Sequence, residues 1–149
     1  MARASDAAEE QIAEIVSTFE LLGDWDQRYE YLVELGERLP PMEAGDRQEG
    51  NRVHECMSLV HVAAHPLADE TGRIGYRGDC DTAIIKGVVA LLIELLSDRT
   101  PREIMDTDVD RLFEGLRLDE HLSPSRHVGV YAIVNKMKAQ AADYRSSRK

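Results

Sequence analysis

Cysteine is scarce in this 149-residue chain, with Cys56 and Cys80 the only two. Two are too few for a disulfide framework, and in a reducing compartment they stay thiols, so their use is chemical or merely apolar. No CxxC pair, HExxH motif, phosphate-cradling glycine loop or Ser-His-Asp set occurs. A hydrolase or a nucleotide-dependent enzyme therefore has no support. Long apolar runs are also missing, and no window approaches the ~20 residues a membrane-spanning helix needs. Positive charge is in deficit: 18 Lys and Arg stand against 28 Asp and Glu, for a formal net charge of −10. Such a chain repels phosphate backbones, which disfavours nonspecific nucleic-acid binding. Only Lys136, Lys138, Arg145, Arg148 and Lys149 form a basic stretch, read as a solvated last helix turn whose cations suit the helix dipole. The first ten residues lack a basic start and an apolar stretch, and Asp6, Glu9 and Glu10 argue against a transit peptide. A cytosolic location is expected.

What is present fits a globular protein: 43% hydrophobic residues with 31% charged. One domain over residues 1–149 is expected, long enough to bury roughly two-thirds of its unfolded surface. Ile12, Ile15, Val16, Phe19 and Leu22 recur at helical spacing until Gly23. Asp24 with Gln27 resembles a capping box, and Trp25, Tyr29, Leu32 and Leu35 line one side of a second helix ending before Pro40 and Pro41. A polar loop runs from Glu43 to Asn51. Met57 to Ala64 reads as a strand, Asp69 to Gly72 as a turn, and Ile74 and Tyr76 as the returning strand. The run Gly78-Asp79-Cys80-Asp81 is expected to break that strand. A buried helix follows, with Ile84, Ile85, Val88, Val89, Leu92, Leu95 and Leu96, capped by Asp81 or Thr82. Thr100-Pro101-Arg102-Glu103 starts a short helix, Asp108 another ending near Gly115, and Ser123-Pro124 a last one through Val130, Ile133, Val134, Met137, Ala141 and Tyr144. The fold class is α+β: helices packed on one face of a small antiparallel sheet.

By itself a single cysteine is more often a small buried apolar side chain than a nucleophile. Cys56, however, sits where a polar loop meets the hairpin, and a thiol at a loop tip can meet another protein's thiol. His61 and His65 alternate along a strand and read as solvated or hydrogen-bonded; His54 lies two residues from Cys56 and could share a proton or a metal with it.

Asn51-Arg52-Val53 leading to Cys56 and Ser58, Gly78-Asp79 with Asp81, Thr100-Pro101, and His121-Leu122-Ser123-Pro124-Ser125-Arg126 together resemble the SufE family of sulfur acceptors. The resemblance runs from about Gly23 to Tyr144 and includes Tyr29, Glu34-Leu35-Gly36 and Leu39-Pro40. It implies a fold related to the IscU scaffold and a persulfide carrier rather than a stand-alone enzyme. On this resemblance Cys56 attacks the terminal sulfur of a persulfide on a pyridoxal-phosphate-dependent, SufS-like cysteine desulfurase, stimulates that enzyme, and passes sulfur to an iron–sulfur scaffold. No cofactor of its own is implied, no nucleic-acid or membrane partner, and a monomer or homodimer is expected.

Sulfur exchange needs a thiolate, and Arg126, with His121 second, is the expected support for it. Asn51, Arg52, Val53, Ser58, Asp79 and Asp81 are expected to meet the partner. The chain departs from the family pattern: Glu55 replaces a glycine before the cysteine and brings a negative charge that disfavours the thiolate. Met57 replaces a glutamine, His61 a tryptophan, Cys80 the serine between the two aspartates, and Val128 an asparagine. Two alternatives stand. One is a metal-binding or cluster scaffold using Cys56, Cys80, His121 and Asp79, although the spacings fit no ligand motif. The other is a desulfurase regulator whose Cys56 does not turn over.

Overall fold

The computed structural model describes residues 4–67 and 71–147. Seven α-helices and two strands occur among these residues, in the order α1 (Ala4–Leu21), α2 (Trp25–Glu37), β1 (Val60–Pro66), β2 (Ile74–Cys80), α3 (Ala83–Leu96), α4 (Pro101–Asp106), α5 (Val109–Leu116), α6 (Leu118–His121) and α7 (Pro124–Ser147). No described helix is long and apolar enough to cross a membrane.

Local signals act largely as read. Gly23 ends α1 at φ +80°, a left-handed conformation that glycine adopts without a Cβ penalty. Asp24 caps α2, accepting from Gln27 N at 3.0 Å, without the reciprocal bond a full box requires. At Thr100 the box is complete: Glu103 N donates to the Thr100 hydroxyl, and Thr100 N donates to the Glu103 carboxylate. Thr82 precedes α3 but makes no side-chain capping bond. Tyr29, expected on the apolar side of α2, is exposed, while Leu32 is fully buried. The helix α6, which ends on His121, has no counterpart among the expected elements. Asp69 and Glu70 of the expected turn lie outside the described residues, as do Arg148 and Lys149.

The strands pair antiparallel, from Val60 opposite Cys80 to Pro66 opposite Ile74. Two boundaries differ from expectation. The strand β1 begins at Val60 rather than Met57, because the Ser58 side chain meets that of Thr82 and Leu59 N donates to the Asp81 carboxylate rather than to a ladder carbonyl. The strand β2 continues through Gly78 and Asp79 to Cys80, because β1 supplies a facing residue at each position. An isolated bridge, Arg52 to His61, extends the pairing on the outer side of β1.

One face of the hairpin carries α3 and α7. A methyl at Gly78 would stand 2.8 Å from Val89, so glycine there lets α3 lie against β2. Tyr76 reaches α7, donating its hydroxyl to Met137 O at 2.6 Å in the interior, and burial raises its pKa. Nine α3 residues are buried, and each large aliphatic among them contributes roughly 1.5–3 kcal/mol on burial. The 43–51 loop, wound into two short 3-10 turns, covers the neighbouring edge through Arg47 on Asp79 and Asp46 on His65.

Candidate functional site

Cys56 lies in a loop closed at both ends. Val53 N donates to Val60 O at 2.9 Å, and Cys56 N turns back to Val53 O at 3.4 Å. The loop is pinned to the start of α3: Ser58 and Thr82 hydroxyls are 2.6 Å apart, Leu59 N donates to Asp81 Oδ1 at 2.9 Å, and Asp81 N donates to Leu59 O at 3.2 Å. Sequence reasoning set Cys56 at an accessible loop tip; the fold instead buries it to 9% exposure. Its thiol is turned inward against α7, where a methyl on Gly129 would sit 2.8 Å from Sγ. The loop's outward side is mixed: His54 and Glu55 are exposed, and beside them Met57 is 85% and Leu59 43% exposed, with nearby Val128 at 60%.

Cys80 is also buried, at 7% exposure, where β2 ends. Burial pushes its thiol up to about 11; the Thr82 N–H and the Ser58 hydroxyl oppose this, and the charges of Cys56 and Asp81 add to it. Asp79 behaves in the opposite way. Burial alone would raise its carboxyl, but bonds from Arg47 at 2.7 Å and from Cys80 N, together with Lys86 at 3.3 Å, hold it below the usual carboxylate value.

The residues expected to meet a partner are largely engaged inside the molecule. Val53 is buried; Asn51 donates to Asp46 O and accepts from Gln140; Ser58, Asp79 and Asp81 make the bonds just described. Arg52 is half-buried, with its Nε buried and unbonded. Of these, Val53, Ser58 and Asp81 hold the Cys56 loop closed. His121 stacks on Trp25, with centroids 3.6 Å apart and planes at 31°. Arg126 lines the same cavity of about 210 Å³, together with Tyr29 and Ile84. Among the described residues, no hydrogen bond or ion pair joins Arg126 or His121 to Cys56.

The alternative ligand set is not assembled either: no group of three or more His, Cys, Asp or Glu suited to a metal occurs among the described residues. His121 faces Trp25, and Asp79 is taken by Arg47 and Lys86. His54 pairs with Glu49 at 2.9 Å.

Two features escaped the sequence reading. Gly129 is the seat of the thiol, and its only signal was a glycine inside a helical pattern, which costs stability and so implies a packing reason. The other is a groove of about 540 Å³ beside the loop, lined by Glu55, His127, Val128, Tyr131, Asn135 and Lys136. It joins positions far apart in the chain, so no local pattern announces it.

A family model described as SufE, the Fe-S metabolism associated domain, matches residues 13–141. Among solved structures, the solution structure of a hypothetical protein from Thermus thermophilus superposes with a TM-score of 0.74 at 23% identity, over 91% of this chain and 96% of that one. That likeness speaks for the fold.

Proposed function

The chain belongs to the SufE family, whose domain is associated with Fe-S metabolism, and from that premise we propose that it carries sulfur for iron–sulfur cluster assembly. Cys56 takes the terminal sulfur of a persulfide held by a pyridoxal-phosphate-dependent cysteine desulfurase, stimulates that enzyme, and hands the sulfur to a cluster scaffold. The observation that carries the reading is the loop itself: a thiol buried to 9% exposure beneath a loop that exposes the large apolar side chains of Met57 and Leu59. A sheltered thiol avoids adventitious oxidation. An exposed apolar face loses water contact when a partner covers it, and that gain can offset the cost of lifting the loop. Thiol exchange requires the attacking sulfur to reach the other in line, so the loop must open. Arg126 and His121 support the thiolate once the loop has risen; Val53, Ser58 and Asp81 hold the loop closed until then, and with Asn51, Arg52 and Asp79 they meet the partner.

Incubation with a cysteine desulfurase and cysteine, followed by intact mass spectrometry and peptide mapping, tests the assignment. Added sulfur is expected on Cys56, and Cys56→Ser is expected to abolish stimulation while keeping the fold. Undiminished stimulation by that variant would overturn it. The burial of Cys56 also favours a second reading, a regulator whose thiol does not turn over; in that case the enzyme is stimulated and no sulfur appears on Cys56.

A further inference from the structure

We propose that Cys80 is a second catalytic thiol, which resolves a persulfide on Cys56 by forming a Cys56–Cys80 disulfide and releasing the sulfur as hydrosulfide. The inference rests on the acceptor reading and adds to it the source of two electrons.

The fold brings the two thiols to one place. Val53 N bonds to Val60 O, which closes the Cys56 loop on the residue that faces Cys80 across the ladder. Directly opposed residues of an antiparallel pair lie about 4.5–5.5 Å apart at Cα. Beyond that pair, Leu59 and Asp81 are joined by two hydrogen bonds, and Ser58 meets Thr82 at 2.6 Å, so the loop folds back over the Cys80 end of the hairpin. Both side chains enter one buried cluster. Thr82, whose hydroxyl meets Ser58 of the loop at 2.6 Å, donates its N–H to Cys80 Sγ at 3.4 Å, which ties the loop to the second thiol. The chain has no other cysteine.

The chemistry matches this placement. Sulfur bound as a persulfide is at the level of elemental sulfur, whereas a cluster holds sulfide, so two electrons are required. A dithiol supplies them. The Cys80 proton passes to solvent, and the thiolate attacks Cys56 Sγ. The bond between Cys56 Sγ and the outer sulfur breaks, and that sulfur leaves with the electron pair and its own proton as hydrosulfide. The two cysteine sulfurs are oxidised to a disulfide, and the transferred sulfur is reduced by two electrons. A dithiol reductant then resets the pair by exchange. Within the closed loop Cys80 is held protonated by burial, so discharge waits until the loop lifts and water reaches it.

The full-length reduced protein is loaded anaerobically in two ways, with inorganic polysulfide and with a cysteine desulfurase plus cysteine, and then freed of excess reagent. Intact mass, peptide mapping and released sulfide are followed over time. The wild type is expected to gain one sulfur and then become two hydrogens lighter than the starting protein, with residues 56 and 80 cross-linked and about one equivalent of sulfide released. Cys80→Ser and Cys80→Ala are expected to retain the added sulfur about tenfold longer or more, since an internal thiol acts at a high effective concentration. A wild-type persulfide as long-lived as that of both variants overturns the proposal. So does an added sulfur that moves to Cys80 with no change in mass. Loading by the desulfurase without a cross-link keeps the acceptor reading and defeats this one. Cross-linking after polysulfide, with Cys56 untouched by the desulfurase, does the reverse.

Discussion

At position 129 a side chain has little room, since a methyl there would stand 2.8 Å from Cys56 Sγ and 3.3 Å from its Cα. A glycine inside a helix costs about 1 kcal/mol relative to alanine, so Gly129→Ala favours the helix while crowding the thiol. We expect the variant to keep its melting temperature within a few degrees. Its Cys56 is expected to react with iodoacetamide about tenfold faster, as a bias of about 1.4 kcal/mol toward the open loop requires. Unchanged alkylation would show that the glycine is not the seat. Cys80 yields a pH prediction. Its thiol lies near 11 in the folded chain against an ordinary value of 9.0. The folded state therefore keeps a proton that the unfolded state loses, and the stabilisation, complete below about 9, declines as pH rises toward about 11. Urea melts across that interval should show a smaller loss for Cys80→Ser than for wild type. Tyr76 also titrates late, but it is common to both proteins, so their difference isolates Cys80.

Among the elements, α2 and α3 meet almost backbone to backbone. A methyl on Gly87 would collide with the Leu32 carbonyl, and one on Gly36 would stand 3.0 Å from Gly87 N. No rotamer relieves a clash with main chain, so Gly87→Ala must push the helices apart, at a cost of about 3 kcal/mol, the upper end for an overpacked core. Chemical denaturation should show this as a lowered midpoint. A midpoint within error of wild type would mean that the crossing adjusts freely. Because α3 begins at the residues that pin the Cys56 loop, the same variant should also raise Cys56 alkylation. The hairpin links the two effects: Gly78 accepts α3, Tyr76 holds α7, and α7 carries Gly129.

For the whole molecule, a net charge of −10 and the exposed Met57 and Leu59 of the loop make separate demands on a partner. Complementary charge speeds encounter and is screened by salt, whereas covering Met57 acts on dissociation. Stimulation of the desulfurase is expected to need more protein as ionic strength rises. Met57→Glu, at a position 85% exposed, should leave the fold unchanged and weaken half-maximal stimulation about tenfold, as loss of one buried side chain at an interface implies. Equal stimulation by this variant would remove the loop's outer face from the contact.

The sequence alone determined what short-range chemistry controls. The stop at Gly23, the caps at Asp24 and Thr100, the buried α3 and the hairpin are legible because their signals lie within a few residues of the structure they specify. The family was legible too, from Asn51 through Cys56 to the His121–Arg126 run, and Cys56 could be named as the acceptor candidate. What only the tertiary structure decided concerns contacts between distant segments: that the Cys56 thiol points inward onto Gly129, that Cys80 stays in the strand beside the same loop, and that His121 turns to Trp25. Exposure is a property of the packed whole. A polar, glycine-bearing approach to Cys56 read as accessible, yet Val53, Ser58 and Leu59 satisfy their polar groups against Val60, Thr82 and Asp81, and that bonding folds the thiol beneath its own loop.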